Sequence, residues 1–340
     1  MNEEVERKCR KLMKLDVVNE SLIKSYLNNE LVNISETRCQ GQFDGFDVQF
    51  NNEKYLFPNS RISKKYNKTG TTLKLQKKAS LFIIPLPLSN FKVPPIGRGA
   101  FRELLKGFAS SDDGMFQANE WLVSLFEEED AARFYTQQVC RSTFLTDYKE
   151  IILEAIIAYF SGYKSISTMS LFPVFEGALR ELQIQFADGE EGNVSKDKFV
   201  KQFKKLSEKR IKKVTTHYTK TPLDFLSDGC EKMMFASLFD IHCDVIAAIK
   251  EFFEEVLYKK STDCDQGFNR HLVMHMLKND FNEKANFVRM IIVISYIVYL
   301  EDVENNITPF DDIFFDRRLN QELCEMFKKA SKSKINLDEF

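Results

Sequence analysis

The stretch Asn269-Arg270-His271-Leu272-Val273-Met274-His275 holds two of the chain's four histidines, four residues apart, beside an arginine. Gly267 breaks what precedes it, and Asn269 is a residue type that caps helix starts. The spacing predicts a helix beginning at Arg270. At ~100° per residue, His271 and His275 share one face, and Arg270 and His275 flank it ~140° apart. An exposed helix start favours phosphate through its dipole and free amides. Arginine clamps phosphate with paired N–H donors, and histidine moves protons near neutral pH. These are the groups that break an RNA phosphodiester without metal: one activates the ribose 2′-hydroxyl, one protonates the leaving oxygen, one stabilises the added charge. Read blandly, the same residues are a capped helix start with polar surface side chains. His-x3-His on one helical face also chelates metals. Here no Glu follows His271 and Asp280 is off the face, so no metal ligand set is assigned.

Outward from this stretch, the pattern is helical. Downstream, Asn286 to Glu304 is strongly apolar, with an unbroken run from Met290 to Leu300 except for Ser295. That run is short of the roughly 20 residues a bilayer span needs. Upstream, Glu231 to Lys260 carries a stripe of Phe235, Leu238, Phe239, Val245, Ile246, Ile249, Phe252, Phe253 and Val256. His242 falls within it and reads as a core histidine, whereas His217 reads as exposed. Lys201 to Lys213 is basic, Gly189 to Lys198 is a loop, and Ser170 to Phe186 is a helix. Asp147 to Phe160 is another, with Ile151, Ile152, Ala155, Ile156 and Tyr159 on one face. Phe101 to Phe108, Ala118 to Phe126 and Ala131 to Phe144 are further helical segments.

The first hundred residues have another texture. Val5, Leu12, Leu15, Val18, Leu22 and Ile23 suit a helix. From Cys39 to Leu88, Phe43, Phe46, Val48 and Phe50, then Leu73, Leu75, Leu81, Ile83 and Ile84, suggest two to four short strands, with Asn51-Asn52 as a turn. Pro85, Pro87, Pro94 and Pro95 mark a boundary. Gly97-Arg98-Gly99 lacks the spacing of a phosphate loop. High Phe, at 31, against 13 Gly and 8 Pro favours helices over a turn-rich β fold. The expected division is 1–96, an α+β segment; 97–144, a helical connection; 145–305, the main helical domain; and 306–340, a helical extension and loose tail. A net charge of −2 gives no general attraction to nucleic acid, so such binding must rest on local patches. Seven scattered cysteines without a CxxC pair suit reduced thiols. With no visible signal peptide, the chain reads as cytoplasmic.

The site stretch resembles the HEPN ribonucleases, which carry an arginine, a polar neighbour and a histidine four to six residues on. Arg270-His271-Leu272-Val273-Met274-His275 matches the four-residue gap, and Asn269 resembles the Asn-Arg-His opening of defence-associated members. Phe172-Pro173-Val174-Phe175-Glu176-Gly177-Ala178-Leu179-Arg180 looks like their Glu-Gly-x-Leu-Arg helix, and Asn286 to Leu300 like their closing helix. The resemblance covers about residues 145–305. It departs at Met276, where many relatives have glycine, and at Leu277, where antitoxin-modified members have tyrosine.

The resemblance implies a mainly α fold: an antiparallel helical bundle, dimeric, with a composite site in which Arg270 and His275 of both copies face each other. Arg270 would bind the scissile phosphate, His275 act as general acid or base, and His271 orient the site. Glu176 would hold Arg270 or His271, with Asn269 and Arg180 in support. The Glu176/Arg180 spacing equally suits an exposed ion pair. Lys204, Lys205, Lys209, Arg210, Lys212 and Lys213 would grip RNA backbone, or simply form a solvated helix face. Implied partners are RNA, a second copy, and a protein partner or antitoxin, with neither membrane nor cofactor. The implied function is metal-independent RNA cleavage in anti-phage defence or a toxin-like system. The alternative is a non-catalytic HEPN module binding nucleotides, nucleic acid or protein within a defence complex.

Overall fold

The computed structural model describes residues 7–8, 11–12, 15, 17–27, 33–39, 43–50, 53–58, 78–85, 98–190, 192, 195–218, 241–260, 262, 268–275, 281–306 and 316–334. The chain is mainly helical and divides into two compact units. The first joins Met1–Lys78 and Pro87–Phe91 to Lys204–Ala247; the second joins Ala79–Leu86 and Lys92–Phe203 to Ala248–Phe340.

In the first unit, α1 (Glu20–Tyr26) is capped by Asn19, whose side chain accepts from the Leu22 amide. Three antiparallel strands follow in the order β1 (Asn33–Cys39), β2 (Phe43–Phe50), β3 (Glu53–Pro58). Phe50 pairs with Glu53, and Asn51-Asn52, expected as a turn, lie outside the described residues. Phe46 and Val48, two apart on β2, bury one sheet face with Phe57, Ile23, Leu27, Leu12 and Val18. The strand expectation holds for Phe46 and Val48 but fails further on. Leu73 and Leu75 lie outside the described residues, and residues 78–81 form a helical turn. Ile83 is left-handed, with φ 56°. The reason is tertiary: the carbonyls of Phe82, Ile83 and Pro85 are taken by Arg289 and Tyr296 rather than by a strand partner.

The second unit is helical. Its elements are α2 (Arg98–Ser110), α3 (Gly114–Val123), α4 (Glu128–Phe134), α5 (Lys149–Phe160) and α6 (Lys164–Ala187). After α7 (Lys196–Tyr218) and α8 (Ile241–Phe252), whose ends belong to different units, come α9 (Arg270–Met274), α10 (Lys284–Glu304) and α11 (Arg317–Lys332). Helix α10 is buried nearly all round, as a central helix must be, and packs on α6 and α3. Helix α6 also packs on α5 and α9, while α11 covers α4 and α5. The Phe-rich composition is spent between these helices. Tyr159 stacks on Phe287 at 4.5 Å, and Phe160 on Phe327 at 5.5 Å.

Three features differ from the sequence reading. The segment Ala131–Phe144 is not one helix: α4 gives way to a π turn at Tyr135–Val139, closed by the Cys140 amide on the Tyr135 carbonyl. On α5, Ile151 is 40% exposed and does not join the buried face. The basic stretch Lys204–Lys213 belongs with the N-terminal unit, not with a continuous 145–305 domain. Among the described residues, no helix is long and apolar enough to cross a membrane.

Candidate functional site

Asn269 starts α9 as its sequence predicts, with extended backbone and a side-chain oxygen that accepts from the His271 and Leu272 amides at 3.0 and 3.4 Å. Its amide nitrogen donates to the carbonyls of Val256 and Lys259 at 3.2 and 2.8 Å. Fully buried, Asn269 thereby pins α9 to the end of the preceding helix. This capping takes up two of the amides that a phosphate would use, so the expected phosphate cradle at the start of α9 is occupied by the chain itself. The helix is a single short piece, and His275 is its C-cap residue, its amide reaching the His271 carbonyl at 3.2 Å.

That turn places the two imidazoles side by side. The rings of His271 and His275 are 4.6 Å apart and tilted by 56°. Both are exposed, while Leu272 and Val273 on the opposite side are buried. Arg270 sits between these two environments, about a third exposed, and its Nε donates to Glu176 Oε1 at 2.9 Å. Glu176 comes from the middle of α6. The structure therefore brings Glu176, Asn269, Arg270, His271 and His275 together, from positions up to a hundred residues apart.

Gly177 explains part of the Glu-Gly pairing. A Cβ there would lie 2.0 Å from the Tyr148 hydroxyl, so only glycine lets Tyr148 pack against α6 beside Glu176. Glu176 accepts from both Arg270 and Tyr258. Arg180, one turn on, contributes positive potential at the Tyr258 hydroxyl.

Tyr258 is the site residue that the sequence reading missed. Helix α8 ends in a π turn, Phe253–Leu257, closed by the Tyr258 amide on the Phe253 carbonyl at 2.8 Å. The extra residue in that turn folds Tyr258 back to stack on Phe253 at 4.1 Å. Its hydroxyl donates to Glu176, and the Arg270 guanidinium lies 5.9 Å from its ring centroid. Burial, then the hydrogen bond to Glu176, push the Tyr258 hydroxyl well above the usual phenol range, so it stays a donor. Burial works against the Arg270 charge, but the Glu176 hydrogen bond and charge outweigh it and leave the guanidinium more basic than usual. A π turn depends on local hydrogen-bond slippage, which apolar periodicity does not encode.

The basic residues fall elsewhere. Lys204, Lys209, Lys212 and Lys213 are exposed on α7, with Lys205 and Arg210 half-buried. They belong to the first unit. Lys204 makes a loose pair with Glu208 at 3.9 Å. Arg210 lies against Nδ1 of His242. His242 is half-buried with a cationic partner, not enclosed in the apolar stripe. Met276, Leu277, Asp280 and Gly267 lie outside the described residues, and His217 falls within α7. Among those described, no group of three or more His, Cys, Asp or Glu side chains is arranged to hold a metal ion. Compared with protein families, curated proteins and solved structures, the chain matches none.

Proposed function

We propose that the chain is a HEPN-type, metal-independent endoribonuclease acting in anti-phage defence or a toxin-like system, its second unit being an HEPN-like helical bundle. The observation that carries this reading is the cluster of Arg270, held by Glu176, beside an exposed pair of imidazoles on the same short helix. In the proposed reaction one imidazole takes the proton of the ribose 2′-hydroxyl as its oxygen bonds to phosphorus. The bond from phosphorus to the 5′ oxygen breaks, and a second imidazole protonates that oxygen. Arg270 neutralises the extra phosphoryl charge, oriented by Glu176 and Tyr258. The products are a 2′,3′-cyclic phosphate and a 5′-hydroxyl. In a homodimer, the Arg270 and His275 of both copies would complete the cleft. The exposed lysines of α7 supply backbone attraction for RNA.

The test is RNA cleavage by purified protein in EDTA, on total tRNA and a structured messenger, beside Arg270→Ala and His275→Ala. The expected result is cyclic-phosphate ends from the wild type, with rates falling by about a hundredfold or more in either variant. Equal cleavage by the variants sinks the proposal. The second reading, a non-catalytic nucleic-acid, nucleotide or protein-binding module, is favoured by the Asn269 cap, which removes the helix-start amides from phosphate recognition. RNA retention without cleavage by any form of the protein supports it.

A further inference from the structure

The spacing of the histidine pair suits a chelate as well as proton transfer. The His275 amide bonds to the His271 carbonyl, so the two side chains leave the backbone one helical turn apart. Two imidazole nitrogens bound at about 2.1 Å to one tetrahedral ion set their ring centroids roughly 5 Å apart. The observed separation is 4.6 Å. Both rings are exposed, which leaves room for water in the remaining coordination positions. The cation next to them does not stand uncompensated, because Glu176 matches the charge of Arg270. No cage of three or more ligands forms among the described residues, so the site suits an exchangeable ion rather than a structural one. Two imidazoles without a carboxylate select borderline ions such as zinc, nickel or copper over magnesium and calcium.

We propose that His271 and His275 form a two-histidine site for a divalent transition-metal ion. Its functional consequence rests on the ribonuclease reading. An ion held there occupies a lone pair on each imidazole, so neither ring can carry out its proton transfer. The filled site is then an off state, reversed by chelators.

Calorimetric titration of the full chain with zinc(II) alone, and with nickel(II) alone, tests the site without reference to activity. The expected result is one ion per chain bound by both rings, with affinity reduced by about tenfold or more in His271→Ala and equally in His275→Ala. His242→Ala should bind as the wild type does, and magnesium should not compete. Both variants alter exposed side chains, and an unchanged circular dichroism spectrum establishes that they fold. An affinity unchanged in either single variant, or no zinc or nickel uptake by the wild type, overturns the proposal. RNA cleavage measured with and without zinc separates the two readings. Zinc bound through both histidines in a protein that never cuts RNA leaves the metal site standing and removes the nuclease.

Discussion

Asn269 uses its whole side-chain hydrogen-bonding capacity on backbone: its oxygen takes the His271 and Leu272 amides, and its nitrogen serves the Val256 and Lys259 carbonyls. Asn269→Asp keeps the cap but turns two donors into a buried carboxylate facing two carbonyl oxygens. The expected loss of stability is about 3 kcal/mol, read as a lower urea midpoint. Asn269→Ser, which keeps a capping oxygen and removes the charge problem, should lose less, about 1–2 kcal/mol. An aspartate variant as stable as the wild type would mean that the two carbonyls have other donors. At this scale much was legible. Asn269 as cap and the shared face of His271 and His275 follow from residue type and spacing, whereas the approach of Glu176 to Arg270 was implied by the resemblance alone. Tyr258 was not legible, because its place depends on one extra residue in a helical turn and on a Phe253 ring to stack against.

Among the helices, α10 was the easiest to read, since a long apolar run with few breakers has to be central. What its sequence does not show is that Arg289, in the middle of that apolar face, is buried at 1% exposure. Its guanidinium donates to the carbonyls of Ile83 and Phe82 at 2.9 Å each, and to the side-chain oxygens of Asn286 and Asn119 at 2.7 Å each. No carboxylate is among these partners. Burial lowers the basicity of Arg289, but four oxygen acceptors keep the guanidinium charged. The arrangement holds residues 82–85 in a bend that includes left-handed Ile83, a conformation costly for a β-branched residue. A segment of Leu81, Ile83 and Ile84 reads as strand by composition, but local turn hydrogen bonds to the Ala79 and Ser80 carbonyls, together with Arg289 and Tyr296 from a distant helix, make it a bend. Arg289→Met keeps the apolar stem and strands the four acceptors. It should cost about 3–5 kcal/mol and speed amide exchange at Phe82–Ile84, with Arg289→Lys giving little rescue because an ammonium lacks the planar fork. Unchanged exchange at those amides would show that the bend is held by other contacts.

Across the whole molecule, positive and negative charges nearly cancel, with 48 Lys and Arg against 50 Asp and Glu. General charge repulsion is therefore weak near neutrality, and the pH dependence of stability falls to the few carboxylates that the fold buries. Glu301 and Asp302 are two of them, adjacent near the C-terminal end of α10 and each 3% exposed. Glu301 accepts from the Thr143 amide and hydroxyl at 2.7 and 2.6 Å and from the Ser142 hydroxyl, and Asp302 accepts from Arg141. Together they fasten the 141–143 turn to the central helix. Burial raises the Asp302 carboxyl to about 6, with Arg141 pulling it down and Glu301 pushing it up. A carboxyl more basic in the folded chain than in the unfolded one binds its proton better when folded. Its contribution is thus complete below the unfolded value of 3.8 and is lost as pH rises through about 6. Asp302→Asn keeps an acceptor for Arg141 and cannot titrate. Between about pH 4 and pH 7.5, the stability of the wild type relative to this variant should fall by roughly 2 kcal/mol, measured by urea unfolding at each pH. A difference that stays constant over that range would mean Asp302 is already ionised throughout, with Arg141 outweighing its burial.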